Sequence, residues 1–322
     1  MDVFSRDDAA SIASLGEKAL IRRIRDWLGE AAPPPPFGMG DDCAVLPAET
    51  AASNLLTTDS LVLGRHFQPD TLPGLAGAKL VKRNLSDIAS MGGLPRIAVV
   101  AGFLPARLRI DWLEGFVRGM AGAAMQHRLK IVGGDLTETD TDLAFNLTLL
   151  GNAEHPMPRH GGRNGDWICV TGRLGGSRLG RHLRFEPRLR EGRRLAASGR
   201  VHACIDVSDG LAIDLAAIIP EGSSASLDTL SIPLHEDAAR AAAMDGRPAL
   251  QHALSDGEDH ELLFLMEPLS GGEWASFRSA LGAGGLAPVS CIGKIVTKGE
   301  ALIADSRTGA PVDPHLGYDH FG

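Results

Sequence analysis

Apolar positions along this chain change period several times, and each change predicts an element. In GEKALIRRIRDWLGE (16–30), Leu20, Ile24, Trp27 and Leu28 recur at helical spacing, which predicts a short amphipathic helix. PPPPFGMG (33–40) breaks that regularity and leads into DDCAVL. NLLTTDSLVL (54–63) reads as a strand interrupted by the polar TTD. Residues 75–91 place Val81, Leu85 and Ile88 on one helical face, with Asn84 and Asp87 on a different flank. RIAVVAGFL (96–104) reads as a buried strand, 111–127 as a helix, and LKIVGGD (129–135) as a strand ending in a glycine turn.

After DLAFNLTLLGN (142–152) comes AEHPMPRHGGRNGD, dense in Pro, Gly and polar residues, which reads as a domain boundary. The domains expected are 1–152 and 153–322. The second begins with WICVTG (167–172), passes the glycine-containing TGRLGGSRLG (171–180) and an arginine-rich helix, and reaches CIDVSDGLAIDLA (204–216). It closes with GEDHELLFLM, VSCIGKIV and LGYDHFG. Strands and helices alternate without the cadence of a doubly wound sheet, so the fold class expected is α+β, in two domains. No strict internal repeat is visible.

Of the 322 residues, 44% are hydrophobic and 22% charged, enough apolar mass for a large core. A formal net charge of −8 argues against a protein built to coat nucleic acid or an anionic membrane, so neither is expected as a partner. The arginine run from Arg178 to Arg200 then reads as a solvated helix face. Cys43, Cys169, Cys204 and Cys291 form no CxxC pair and suit a reduced interior where they are small core residues. The N-terminal MDVFSRDDAASIASLG lacks a basic segment followed by an apolar run, and no stretch approaches ~18 apolar residues. A soluble, cytoplasmic protein is expected.

The chemistry is carried by acids. Asp41 and Asp42 (GMGDDC), Asp59 (TTDS), Asp87 (NLSD), Asp135 (VGGD), and Asp206 and Asp209 (DVSDG) all sit beside Gly, Ser or Thr, mostly at ends of apolar runs. Each alone is explained as a turn or N-cap residue. As a convergent set, two carboxylates ~4 Å apart repel by roughly 4 kcal/mol at an effective dielectric of 20, a cost that solvent or a bound cation offsets. Oxygen donors without a His/Cys cluster select Mg²⁺ or Ca²⁺ over zinc, and several such ions suit polyphosphate chemistry. Asp214, further into the following helix, reads as solvated or capping.

Neither GxxxxGK[ST], the protein-kinase motif set nor GxSxG is present, and TGRLGGSRLG reads as a plain turn. In order, however, GDDCAVL, TTDSLVLGRHF, NLSDIASMGG-P, IVGGD, DVSDGL, GEDHEL and the terminal GYDHF resemble the thiamine-monophosphate kinase family, across nearly the whole chain. The resemblance implies the two-domain architecture shared with aminoimidazole ribonucleotide synthetase, with an N-terminal sheet that pairs in a homodimer. It implies ATP-dependent phosphorylation of thiamine monophosphate to thiamine diphosphate by direct in-line transfer, with several Mg²⁺ ions and ATP as co-substrate. By position, Asp42, Thr57, Thr58, Asp59, Asp87, Asp135, Asp206 and Asp209 resemble Mg²⁺ ligands. Gly134, Asp135, Arg159 and Ser208 resemble nucleotide contacts, and His66, Glu258 and His315 substrate-side positions. No side chain stands out as a general base, and an acceptor that is already an ionised phosphate needs none.

The chain departs from the family pattern in three places. Leu136 follows GGD where Thr is common, SDGEDHEL replaces SGGEDYEL through Asp256 and His260, and His315 occupies a position that is often tryptophan. These touch the acceptor side rather than the acids. Two alternatives share the motifs: a superfamily enzyme that uses ATP on another acceptor, and a non-catalytic nucleotide-binding paralogue. Selenophosphate synthetase is disfavoured because the first cysteine, Cys43, directly follows GDD.

Overall fold

The computed structural model describes residues 44–46 and 53–319. The helix expected over 16–30, together with Asp41, Asp42 and Cys43, lies outside the described residues. The first half builds a five-stranded sheet from β1 (Ala44–Leu46), β2 (Ser53–Val62), β3 (Leu94–Pro105), β4 (Lys130–Thr139) and β5 (Ala144–Ala153), in the order β1-β2-β5-β3-β4. Helices α1 (Pro73–Ser90) and α2 (Ile110–Gln126) pack together on one face. β3 and β4 are parallel and joined through α2, as a crossover connection requires, and the other pairings are antiparallel.

Strand periodicity explains the inner face. Leu55, Thr57 and Leu61 of β2 and Phe145, Leu147 and Leu149 of β5 are buried, with Phe145 stacked on Phe116 of α2. β2 runs through TTD without interruption, because Thr57 and Asp59 meet polar partners on α1. Two further expectations are corrected. RIAVVAGFL is buried on one side only, since Ile97, Val99 and Phe103 point to the open face of the sheet. LKIVGGD does not end in a turn: the strand continues through both glycines to Thr139, where Gly134 fits because an added Cβ would stand 1.9 Å from the Val100 carbonyl.

The second half forms a six-stranded sheet from β6 (Trp167–Thr171), β7 (Val201–Asp206), β8 (Ser223–Leu227), β9 (Leu262–Met266), β10 (Val289–Thr297) and β11 (Ile303–Asp305), in the order β11-β8-β10-β6-β9-β7. Its central strands are covered on both sides, which is why LLFLM is apolar throughout. One side carries α4 (Leu211–Ile218) and α6 (Ala249–Ser255); the other carries α3 (Leu189–Ser198) and α7 (Gly271–Gly282). The fifth helix, α5 (Glu236–Asp245), packs on α6.

The two halves share one core. Cys169, Cys204, Leu262 and Phe264 of the second sheet belong to the same apolar cluster as Leu80, Leu85 and Ile88 of α1. Where α1 crosses α3, a Cβ on Gly192 would fall 1.9 Å from the Ala89 carbonyl oxygen, so only glycine permits that approach. The arginine run is only in part the solvated face expected of it: Arg184, Arg190 and Arg193 are exposed, and the others are engaged. Arg181 pairs with Asp259 at 2.6 Å, Arg188 with Glu261 at 2.5 Å, and Arg194 donates to the carbonyls of Ala280, Leu281 and Ala283 at the end of α7.

Candidate active site

CIDVSDGLAIDLA is a strand, a turn and a helix: β7 ends at Asp206 and α4 starts at Leu211. The turn is held by Asp214, whose Oδ2 accepts from the backbone N–H of Ser208, Asp209 and Gly210 at 3.0–3.1 Å. Asp214 is therefore a cap but not a solvated one: it is buried, and burial followed by the charges of Asp209 and Asp206 pushes its carboxyl well above the ordinary value.

A second acidic turn, Asp256–Glu261, locks against the first. Glu258 N–H donates to the Ser208 carbonyl (2.7 Å), His260 N–H to Val207 (2.8 Å), and Val207 N–H to Glu261 (2.7 Å). The fit depends on left-handed backbone at Gly257 (φ 68°), Glu258 (φ 51°) and His260 (φ 51°), which is unfavourable for the last two and held by the surrounding bonds. Read alone, this stretch is an exposed acidic turn; Asp256 and Asp259 are in fact buried. Asp256, one of the departures, accepts from Gly176 N–H at 3.0 Å and from His252, which fixes the turn against the glycine loop. His260, another, stacks on Phe185 at 3.9 Å and places Nδ1 3.3 Å from Asp206.

Both turns face α1. Thr57 donates to Asp87 at 2.5 Å, Arg83 pairs with Asp59 at 3.0 Å, and Ser86 donates to Asp206 at 2.6 Å. Four carboxylates, those of Asp59, Glu258, Asp87 and Asp206, raise the affinity of buried Arg83 for its proton against the opposing effect of burial. Burial and the charge of Asp206 raise the Asp59 carboxyl although Arg83 opposes them. Asp206 goes the other way: burial pushes it up, but hydrogen bonds from His260 and Ser86 and the charge of Arg159 hold it low.

The deepest cation is Lys79 of α1, fully buried. Its Nζ lies 2.5 Å from Glu258, 2.7 Å from the His66 carbonyl and 2.7 Å from His182 Nδ1. That His182 nitrogen is also 3.0 Å from Glu258; protonated it donates to the carboxylate, and otherwise it accepts from the ammonium. Burial pushes Glu258 up, yet His182 and Lys79 together hold it well below the usual carboxylate range. Lys79, Arg83 and His182 were not among the residues singled out from the sequence. The signal available was KLVKRNLSD itself, in which Lys79, Arg83 and Asp87 recur every four residues on one helix flank.

Between α1 and the two turns lies a cavity of about 590 Å³, in the usual range for small-molecule sites. His66, Ser208, Asp209 and Glu258 line it together with His182, and Arg65, Arg83 and Arg178 give it a cationic side. Tyr318 closes one edge: its N–H donates to the Asp209 carbonyl at 2.9 Å and its ring lies under Arg178. His315, by contrast, is exposed in the turn before it and does not line the cavity.

The remaining candidates are more dispersed. Arg159 lies near enough to Asp206 and Asp214 to influence both. Thr58 points to the opposite face from Thr57 and Asp59, bonding Asn146 and Thr148. Gly134 and Asp135 are exposed on the edge strand β4, two strands beyond β5 and three from β2, so roughly 14 Å from Asp59 and Ser60 at ordinary strand spacing. Asp42 is outside the described residues. Among the described residues no three His, Cys, Asp or Glu side chains converge into a ready protein-only metal cage. The donor chemistry, carboxylates with a hydroxyl, fits Mg²⁺, which uses one or two carboxylates and completes its shell with water and phosphate oxygens.

Residues 40–153 match the model of the AIR synthase related protein N-terminal domain. The chain is 38% identical to the thiamine-monophosphate kinase of Rhodopirellula baltica, over 80% of this chain and 83% of that one. It is 34% identical to that of Salmonella typhimurium, over 95% and 98%. Among solved structures it resembles AaThiL complexed with AMPPCP and TMP, with a TM-score of 0.81 at 26% identity over 99% of this chain and all of that one.

Proposed function

The chain belongs to the thiamine-monophosphate kinase family, and on that premise we propose that it transfers the γ-phosphoryl group of ATP to the phosphate of thiamine monophosphate, giving thiamine diphosphate and ADP. The observation that carries this reading is one cavity lined by His66, Ser208, Asp209 and Glu258, residues that the sequence brings from three separate motifs. A relative of the same fold is known in complex with AMPPCP and TMP, which supports both co-substrates.

The charges suit the chemistry. Two phosphate anions, the triphosphate of ATP and the monophosphate of the acceptor, must approach each other, and Arg65, Arg83 and Arg178 provide fixed positive charge along the wall. Glu258, kept ionised by His182 and Lys79, places an already paired carboxylate at the cavity wall on the acceptor side that the resemblance implies. Asp59, Asp87, Asp206 and Asp209, with Thr57, would hold Mg²⁺; the resemblance adds Asp42, Thr58 and Asp135 to that set and Gly134, Arg159 and Ser208 to the nucleotide side. A bound ion of this kind neutralises phosphate charge and orients the oxygens for in-line displacement. Incubation with ATP, Mg²⁺ and thiamine monophosphate should give thiamine diphosphate and ADP in equal amounts by mass spectrometry, and EDTA should stop it. ATP turnover without thiamine diphosphate would move the acceptor to another molecule.

The open face of the first sheet supports a homodimer. Ile97, Val99 and Phe103 of β3 and Val132 of β4 are exposed there, and β4 is an unpaired edge among the described residues. Val99→Asp should therefore shift sedimentation from dimer towards monomer; an unchanged dimer would remove this face from the interface. Among the described residues no helix is long and apolar enough to cross a membrane.

A further inference from the structure

The phosphoryl-transfer reading leaves the cysteines unused, yet three of them stand in one row across the second sheet. Cys291 of β10 is opposite Cys169 of β6, Cys169 is opposite Phe264 of β9, and Phe264 is opposite Cys204 of β7. Phe264 separates Cys204 from the others. Cys169 and Cys291 are direct neighbours on antiparallel strands, their side chains on the same core-facing side and hydrogen-bonded to each other. Cys169 is fully buried and Cys291 only partly so.

We propose that Cys169 and Cys291 are a redox-modification site, forming a reversible cross-strand disulfide when the protein meets a low-molecular-weight disulfide such as oxidised glutathione. The thiolate of Cys291, the accessible member, attacks one sulfur of the oxidant and releases one glutathione thiolate, leaving a mixed disulfide on Cys291. Cys169 then loses its proton and attacks the Cys291 sulfur, releasing the second glutathione thiolate. The two protein thiols have then lost two electrons and two protons to the oxidant, which is reduced to two thiols.

Two properties of the pair favour this order. The hydrogen bond from Cys169 lowers the Cys291 thiol to about 7, while burial raises that of Cys169, so the half-buried sulfur is the better nucleophile and the fully buried one the resolving partner. Directly opposite residues of antiparallel strands carry Cβ atoms roughly 4.5–5.5 Å apart, and a disulfide needs about 3.8 Å. The ladder shifts register between Cys291 and Gly293, so β10 has slack at the point where the strands must close.

The test treats the full-length protein with oxidised glutathione and reads intact mass and a non-reducing peptide map. Expected are loss of the mass of two hydrogens, a cross-linked peptide pair containing Cys169 and Cys291, no retained glutathione, a raised melting temperature, and reversal by dithiothreitol. Cys169→Ser should instead trap glutathione on Cys291, and Cys291→Ser should leave Cys169 reduced; neither residue is part of the proposed kinase site, so both variants should keep normal turnover. Glutathione retained on wild-type Cys291, a link to Cys204 or Cys43, or two thiols that stay fully alkylatable would each overturn the proposal.

Discussion

Asp209→Asn is expected to lower phosphoryl transfer by roughly 10³-fold, the equivalent of losing about 4 kcal/mol of transition-state stabilisation. The substitution keeps the shape of the side chain and removes its charge. Backbone bonds at this position, from Asp209 N–H to Asp214 and from Tyr318 N–H to the Asp209 carbonyl, are untouched. The turn should therefore stay folded, and the melting temperature should change little. The measurement is steady-state product formation across a Mg²⁺ titration, with circular dichroism as the folding control. Loss of kcat in a folded variant would support a ligand role for Asp209; turnover close to wild type would sink it.

The second large effect concerns stability. Lys79→Met leaves Glu258, itself partly open to the cavity, with His182 as its main remaining partner; stranding a fully buried charge typically costs about 3–5 kcal/mol, so a loss near the low end of that range is expected. Urea denaturation at neutral pH should show that loss. The double variant Lys79→Met/Glu258→Gln should regain a large part of it, because the cost is mostly that of the stranded charge. A pH series separates the mechanism from simple loss of packing. Burial pulls the Lys79 ammonium from its ordinary 10.5 down to about 8, against the pull of Glu258. Between those two values the unfolded chain still holds a proton that the folded one has released. Stability should therefore rise with pH across that window, by up to roughly 3 kcal/mol, and show no dependence on Lys79 below it. If the variant keeps the same slope, Lys79 is not its source.

Much of the site was legible because its short-range parts obey local rules. The strand, turn and helix around Asp206 and Asp209 follow from an apolar run, a Ser-Asp-Gly turn and a second apolar run, and the structure forms all three. The helix through Asp87 was equally plain, although Asn84 proved fully buried, donating to the Leu80 carbonyl one turn back. The two-residue period of β2 also carried information that went unused: in TTD, Thr57 and Asp59 share a face and Thr58 must take the other. What local pattern could not reveal was the long-range pairing. Nothing near Lys79 indicates Glu258, and nothing near Glu258 indicates that its backbone is left-handed. The same applies to Arg181 and Arg188, whose partners Asp259 and Glu261 lie in a turn far along the chain. A run of like charge reads as solvated only while its partners are unknown.

Helix α1 has one more consequence, for how the protein is made. Its polar flank is completed by residues that follow much later: Lys82 meets Glu186 across 104 positions and Ser86 meets Asp206 across 120, and the partner of Lys79 is Glu258. A ribosome that has just released the first sheet and its helices has therefore made a unit with an open seam, cationic along one edge and apolar beside it. That seam stays open to solvent and chaperones until the turn carrying Glu258 leaves the exit tunnel. The first half is therefore synthesised as a dependent of the second, and the late-made acidic turn completes the first helix of the described residues.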